Sequence, residues 1–288
     1  MFFEHIFVEG LAHSSYMVGD EGVCAVIDPR RDVDAYLEIA KDKGLKITHI
    51  IETHLHADFV SGHIELATMT DAKIYAPQKA AVAYDHIPLE EGDEFELGSL
   101  KLKILETPGH TPEHICLTVA DTTRSREPWM VFTGDTLFVG DVGRPDLFGE
   151  EKARELVAQL FDSLHHKLLK LHDSVEIYPA HGEGSLCGRC IGSKRYSTIG
   201  FERRFNYALL ASSKGELLEL ILKDMPEAPR YFKEVARMNK VGPRALGGLP
   251  GRKGISPRDA EEFLKGDTVL IDCRPPAAFG KAHIDGAY

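Results

Sequence analysis

Residues 53–63 read Thr-His-Leu-His-Ala-Asp-Phe-Val-Ser-Gly-His. Two histidines one residue apart, with a carboxylate two positions further on, crowd several metal-capable groups into one short loop. In extended backbone residues i, i+2 and i+4 share a face, so His54, His56 and Asp58 can point one way. Imidazole and carboxylate together suit zinc or iron(II) rather than calcium or magnesium. A polar loop of exposed histidines is the bland alternative, and three later segments weigh against it. Glu-Thr-Pro-Gly-His-Thr-Pro-Glu-His occupies 106–114, where Pro108-Gly109 forces a tight turn that presents His110. Gly134-Asp135 closes an apolar run, and Ala180-His181-Gly182 closes another. The cluster reads as a metal site.

The elements that must position these groups follow from apolar spacing. Phe2–Val8, Ser15–Val18 and Val23–Ile27 read as strands, the last two flanking a turn at Gly19–Gly22, and Asp28-Pro29 ends that segment. Val33–Lys43 has helical spacing closed by Gly44, and the strand Ile47–Glu52 delivers the histidine loop. A short helix over Val60–Met69, strands at Lys73–Tyr75, Leu100–Leu105 and Ile115–Val119, and a strand over Trp129–Phe138 are expected next. Glu150–Leu171 is the clearest helix, with an apolar stripe through Leu156, Leu160, Leu164, Leu168 and Leu171. His165 and His166 lie on it as surface residues. After a strand at Val175–Pro179, helices are expected at Ser197–Ala211, Gly215–Leu222 and Pro229–Asn239. Residues 242–254 have a linker's composition, and Ser256-Pro257 opens a helix that precedes a strand at Thr268–Ile271.

Composition excludes several classes. A chain of 288 residues, 43% hydrophobic and 27% charged, is ordinary for a globular protein. Its formal charge of −11 argues against general nucleic-acid binding. No apolar run approaches a membrane span, and Met-Phe-Phe-Glu-His lacks a signal peptide's basic and apolar regions. Five cysteines in a chain this long do not suggest a disulfide framework, so a reduced, cytoplasmic protein is the default expectation.

Thr-His-x-His-x-Asp resembles the signature of the metallo-β-lactamase superfamily, whose usual motif is His-x-His-x-Asp-His; here Phe59 stands at the last histidine. The His110, Asp135 and His181 segments extend the resemblance, which implies an α+β fold, an αββα sandwich with two sheets inside and helices outside. Asp272-Cys273-Arg274, then Phe279, then His283-Ile284-Asp285-Gly286-Ala287 resemble the opening of an α/β rhodanese domain. The organisation implied is a catalytic domain over 1–241, a linker over 242–254 and the N-terminal part of a rhodanese-like domain over 255–288, cut short at Tyr288. That family's nucleophilic cysteine would lie further on, so Cys273 is not expected to be it.

In the superfamily's di-zinc hydrolases the positions of His54, His56 and His110 hold one metal. Those of Asp58, the adjacent histidine and His181 hold the other, with that of Asp135 bridging. Phe59 removes one ligand of the second metal, which favours a single metal here. Two histidines and one carboxylate with open positions form the facial triad of non-haem iron(II) oxygenases. The chain most resembles the persulfide dioxygenases, also through Thr133–Arg144 and Tyr178–Gly188. That resemblance implies one Fe(II) on His54, His110 and Asp135, with zinc as the alternative. His56, Asp58 and His181 would then serve catalysis by orienting ligands or bound water. It implies a low-molecular-weight thiol persulfide and O₂ as substrates, sulfite and thiol as products, and a homodimer.

Arg144 is a candidate for a substrate carboxylate, with Tyr196 and Arg203 as weaker ones. Cys187 and Cys190 read first as two reduced thiols in a loop; the bolder reading has Cys187 exchange sulfane sulfur at the metal, which a Cys187→Ala variant with unchanged products and rates would rule out. Cys24 and Cys116 are expected to be core thiols. The rivals are a zinc thioester hydrolase resembling hydroxyacylglutathione hydrolase, a sulfurtransferase partner, and a scaffold that has lost its chemistry.

Overall fold

Alternating apolar positions along the early strands bury both faces of a sheet, and the chain covers each face with a different layer. The computed structural model describes residues 1–223, 225–248 and 254–288. Residues 1–247 form one unit and 248–288 a second. In the first, β1 (Phe2–Val8), β2 (His13–Asp20), β3 (Val23–Ile27), β4 (Lys46–Ile51), β5 (Lys73–Pro77) and β6 (Ile87–Leu89) form one sheet in that order. Its first three strands pair antiparallel and its last four parallel. The second sheet runs β12 (Ser197–Thr198), β11 (Glu176–Pro179), β10 (Met130–Gly134), β9 (Ile115–Asp121), β8 (Leu100–Glu106), β7 (Glu94–Leu97), with β10 and β11 parallel.

Tyr16, Val18, Ala25, Ile27 and Ile51 meet Leu102, Ile104, Leu117, Val119 and Phe132 between the sheets. The alternate residues Met17, Cys24, Val26 and Ile50 face outward onto helices α1 (Asp34–Lys43) and α2 (His63–Thr70), through Tyr36, Ala40 and Leu66. On the other side Cys116, Val131 and Ile177 pack beneath α3 (Glu150–His166), α5 (Tyr207–Leu210) and α6 (Lys214–Leu222). The result is the αββα sandwich, and both core thiols are where expected, fully buried.

Several expected boundaries moved. The helix at Ser197–Ala211 is instead the short β12, then α4 (Ile199–Phe205) and α5, because Asn206 is extended and caps α5 by accepting from the Ala208 N–H. α3 ends at His166, where Lys167 leaves helical geometry before a 3₁₀ turn at Leu168–Lys170. β10 stops at Gly134, whose φ of +48° turns the chain toward Asp135. A Cβ there would lie 2.5 Å from His114 Nε2 and 2.7 Å from Thr53 Oγ1, so only glycine fits this turn. The short strands β6 and β7 were missed: at three and four residues they are too short for a pattern to stand out, although Glu94–Leu97 alternates.

The last helix of the first unit, α7 (Phe232–Val241), begins at Phe232 rather than Pro229. In the second unit Ser256 caps α8 (Pro257–Leu264) as its sequence requires, its side chain accepting from the Asp259 N–H. The strand expected at Thr268–Ile271 does not form: among the described residues, Tyr288 alone bonds to the backbone of Leu270 and Asp272, and no neighbouring strand completes a ladder. The expected linker falls partly outside the described residues, at 249–253.

Candidate metal centre

β4, the turn before β9, the end of β10 and the end of β11 converge at one edge of the sandwich, and each delivers a ligand-capable side chain there. His54 Nε2 lies 3.6 Å and His110 Nε2 3.4 Å from Asp135 Oδ2. All three residues are at most 1% exposed. The hydrogen bonds around them fix which nitrogen faces inward. His110 Nδ1 donates to the Arg144 carbonyl at 2.8 Å, leaving the Nε2 lone pair free. Thr53 Oγ1 donates to Asp28 Oδ2 at 2.9 Å, so the 2.9 Å contact from His54 Nδ1 to Thr53 Oγ1 has the ring donating. Its Nε2 therefore also carries a lone pair. Burial holds both imidazoles below their ordinary pKa, and for His54 the neighbouring His56 adds to this.

His54 Nε2 and Asp135 Oδ2 are buried with no hydrogen-bond partner. Leaving such atoms unpaired costs about 1–3 kcal/mol each, more for a charged group. Two lone pairs and a carboxylate oxygen converging without a proton between them fit a cation, and the ligand atoms of His54, His110 and Asp135 lie within 4.8 Å of one another. The donor chemistry suits zinc or iron(II).

His181 organises the neighbouring charge. Its Nδ1 lies 2.7 Å from Asp135 Oδ1 and its Nε2 2.8 Å from Asp58 Oδ2. Carboxylates only accept, so both ring nitrogens donate and the ring is an imidazolium. Burial opposes that charge, but Asp135 and Asp58 outweigh it and raise the pKa well above the ordinary value. Asp135 in turn is held well below the carboxylate range: burial works against ionisation and His181 and His54 overcome it. His56 sits 3.2 Å from Asp28 Oδ1 and, against the cost of burial, is pushed up to about 9 mainly by that carboxylate. Asp28 takes a left-handed φ of +51° and also accepts from the Thr53 N–H at 2.7 Å, which pins the start of the histidine loop.

Phe59 is 6% exposed, its ring 4.1 Å from that of His13 and 4.6 Å from that of His56. A phenyl ring therefore packs against His13 and His56 at the position after Asp58, where the superfamily's usual motif carries a histidine. His56, Asp58 and His181 still form a second ligand-capable group.

The remaining sequence candidates separate. Cys187 is buried beside Asp135 and His181, all three ligand atoms lying within 4.8 Å of one another. Burial, then Asp58 and Asp135, push its thiol well up and keep it protonated. Cys190 is exposed. Arg144 is at the site but fully buried and committed: it pairs with both Asp146 oxygens at 2.7 Å and donates to the Leu186 and Pro226 carbonyls. It has no free fork for a substrate carboxylate; its part is structural, holding the Cys187 loop and lending its carbonyl to His110. Arg203 is also corrected, because it pairs with Asp173, which precedes β11, whereas His181 follows it. The two lie off opposite ends of that strand. Tyr196 is 53% exposed and stacks on Tyr178, with no contact to the ligand cluster. His166 is exposed as expected, and His165 stacks on Phe161.

Sequence reading missed four residues. His114 accepts from the Asp135 N–H at 2.8 Å, and burial pulls its pKa down to about 3. His13 packs against Phe59, His56 and His181. Asn239 on α7 donates to the His56 and Phe59 carbonyls and accepts from the Ser61 N–H, clamping the motif loop. His63 faces Glu52 at 3.2 Å. The pattern of His114 two residues past a Pro, in a segment already rich in ligands, was the one available signal; nothing in sequence ties Asn239 to a loop some 180 positions away.

Beside the centre, a cavity of about 640 Å³ runs from Ala57 and Thr111 to α7. A larger one, about 710 Å³, lies against β7, β8 and β9 with mixed charge in its wall and none of the ligand-capable groups.

An αββα sandwich that gathers histidine and carboxylate at its strand ends defines a metal-binding protein. The sequence pattern of the metallo-beta-lactamase superfamily matches residues 8–181, and the chain belongs to that superfamily. A hydroxyacylglutathione hydrolase of Francisella philomiragia is 33% identical over 172 residues, covering 59% of this chain and 63% of its own length. The chain thus spans less than two thirds of the curated relatives it matches. A metallo-beta-lactamase from Staphylococcus aureus superposes with a TM-score of 0.86 at 31% identity, over 100% of this chain and 83% of that one. ETHE1 from Myxococcus xanthus gives 0.71 at 28% identity, over 83% of this chain and 98% of that one. A further protein of this fold, solved in a di-iron-bound form, gives 0.53 at 28% identity over 71% and 98%. No described helix is long and apolar enough to cross a membrane.

Proposed function

We propose that this chain is an iron-dependent persulfide dioxygenase, with His54, His110 and Asp135 as its metal ligands. The observation that carries the reading is the state of His181. Both of its nitrogens are spent on Asp135 and Asp58, and Phe59, next to Asp58 in the chain, packs on His56 and offers no ligand atom. On this reading His54, His110 and Asp135 form one open facial triad, and His56, Asp58 and His181 stand beside it without a metal of their own. The sequence resemblance to persulfide dioxygenases and the likeness to ETHE1 over nearly all of that chain support it, and the di-iron-bound form of another protein of this fold supports iron though not the single metal.

In the reaction a thiol persulfide, RSSH, with O₂ and water gives RSH and sulfurous acid, released as sulfite and two protons. The terminal sulfur loses four electrons, O₂ gains them, and the S–S bond breaks with the thiol as leaving group. Iron(II) supplies the electron transfer to O₂ that zinc cannot. The protein's share is geometry. The Arg144 carbonyl and Thr53 hydroxyl aim the two imidazoles, and His181 holds Asp135 Oδ1 so that Oδ2 faces inward. His56, Asp58 and His181 keep a ring of fixed charge around the centre. Residues 255–288 are part of the proposal as the start of a rhodanese-like domain, a module that would exchange sulfane sulfur with a persulfide oxidase. A homodimer belongs to the same reading.

A zinc thioester hydrolase is the second reading, favoured by the name of the curated relatives and by the His56, Asp58, His181 group. Metal analysis of anaerobically purified protein, coupled to O₂ uptake with glutathione persulfide, separates them. Near-stoichiometric iron and sulfite formed as O₂ disappears are expected. Zinc at one or two per chain, no O₂ uptake and thioester cleavage would overturn the dioxygenase reading.

A further inference from the structure

Residues 242–247 have the composition of a linker, yet they do not leave the first unit when α7 ends. At the foot of that helix the Ala83 N–H donates to the Lys240 carbonyl at 2.9 Å. Gly242 then turns with a φ of +90°, so close to Tyr84 that a Cβ would lie 3.1 Å from its ring. Pro243 is buried. Arg31 Nη2 donates to the Arg244 carbonyl, and the Leu246 and Gly247 N–H groups donate to the two oxygens of Glu65. Glu65 is 7% exposed on α2, and those two amides are its only hydrogen-bond donors among the described residues. A carboxylate that accepts from backbone N–H groups makes charge-assisted bonds, stronger than those between neutral partners. This stretch is a strap on the first unit, and the second unit begins at the very next residue, Gly248.

The strap and the motif loop share an anchor. The guanidinium that holds Arg244 also reaches the Ser61 carbonyl, with Arg31 Nη1 3.4 Å from it. Ser61 stands three residues after Asp58 and is fully buried, and its N–H donates to Asn239 of α7 at 2.9 Å. Asn239 holds the His56 and Phe59 carbonyls as well. The motif loop is therefore braced by α7 and by Arg31, and both braces run into the strap. The strap's own hold is polar and shallow: Arg244 is exposed, and Ala245 and Leu246 are half-buried. Segments with few buried apolar contacts open before the rest of a fold does. Once open, the strap amides and the Glu65 carboxylate return to water, so neither state strands a buried polar group.

We propose that residues 242–247 are a latch that couples the tether of the second unit to the metal loop. Closed, the latch keeps the tether short and steadies the segment that carries His54, His56 and Asp58. Released, it lengthens the tether by about 20 Å at full extension and frees Arg31 and α7 to shift against Ser61. Coupling between two sites is reciprocal, so if release loosens the metal loop, a bound metal must favour the closed latch. The inference rests on a metal at His54, His110 and Asp135 and is indifferent to which metal it is or what it catalyses.

Trypsin reads the latch directly, because it must take hold of the Arg244 carbonyl that Arg31 occupies in the closed strap. The full chain, reconstituted with zinc or stripped by EDTA, is digested briefly. Cleavage after Arg244 is followed by mass spectrometry against cleavage after Arg124, whose side chain is 86% exposed on the loop between β9 and β10. Cleavage after Arg244 about fivefold or more faster without metal, at an unchanged rate after Arg124, is expected. Transfer of zinc to a colorimetric chelator measures the coupling from the other side. Glu65→Ala removes both acceptors, and the milder Leu246→Pro removes one donor from the strap without touching α2. Each should give up zinc about fivefold or more faster than the wild type and be cut faster after Arg244 with zinc bound. Equal cleavage after Arg244 with and without zinc would overturn the proposal. So would variants that are cut faster there yet hold zinc as long as the wild type. Neither readout involves turnover, so loss of the dioxygenase reading leaves the latch standing, and failure of the latch leaves the dioxygenase reading untouched.

Discussion

Replacing His181 by alanine strikes the one cation shared by Asp58 and Asp135. Both carboxylates are nearly or fully buried, and each contacts His181 within 2.8 Å. Removing one partner of a buried, hydrogen-bonded charge pair costs about 3–5 kcal/mol, because the survivor keeps its desolvation penalty. Here two survivors remain, but either can take up a proton, so the loss should stay near that range rather than double. Against a typical total of about 5–15 kcal/mol this is a large fraction. The assay is urea unfolding in the presence of a chelator, so that no metal compensates Asp135. Adding Asp58→Asn to His181→Ala removes one orphaned charge and should restore roughly 1 kcal/mol or more, the coupling expected of contacting groups. The metal count of the single variant should stay at one per chain with affinity reduced about 10- to 100-fold, as for other groups that orient a ligand. A His181→Ala protein that loses less than about 1 kcal/mol without metal would refute the imidazolium bridge. One that drops from two metals to one would show His181 to be a ligand.

Phe59→His should raise zinc stoichiometry from one toward two per chain, read by elemental analysis after dialysis, since it supplies an imidazole next to Asp58 in the chain and against His56; an unchanged ratio would mean that Phe59 does not limit the second site. Asn239→Leu removes three hydrogen bonds to the motif loop and leaves two carbonyls and one N–H to find other partners. A loss of about 2–4 kcal/mol in chemical unfolding, with weaker metal retention, is expected. His114 has a folded pKa depressed to about 3 from an ordinary 6.5, so its neutral form is favoured in the fold. Its contribution is complete above the unfolded value and is lost as the pH falls from 6.5 toward 3. Between pH 6 and 4 the unfolding free energy of the wild type should therefore fall more steeply than that of His114→Gln, by about 1.4 kcal/mol per pH unit, and equal slopes would exclude His114 as the cause.

The sequence by itself pointed to a histidine–carboxylate cluster and to most of the scaffold. His54, His110 and Asp135 each close a strand-like run, and strand ends are where a sandwich can gather distant side chains without burying unpaired backbone. Local spacing was enough for β1, β3, α1 and α8, whose caps and turns are written in neighbouring residues. What depended on contacts between remote segments was not legible. The long sequence helix at 197–211 breaks because Asn206 caps a new one, and Arg203 is claimed by Asp173 rather than by a ligand. Arg144 looked like a substrate anchor, and only the fold shows its guanidinium already saturated by Asp146 and two carbonyls. Likewise His181 carries the same imidazole whether it binds a metal or bridges two acids. Which it does depends on Asp58 and Asp135 meeting on either side of it, and that is a property of packing, set by tertiary structure alone.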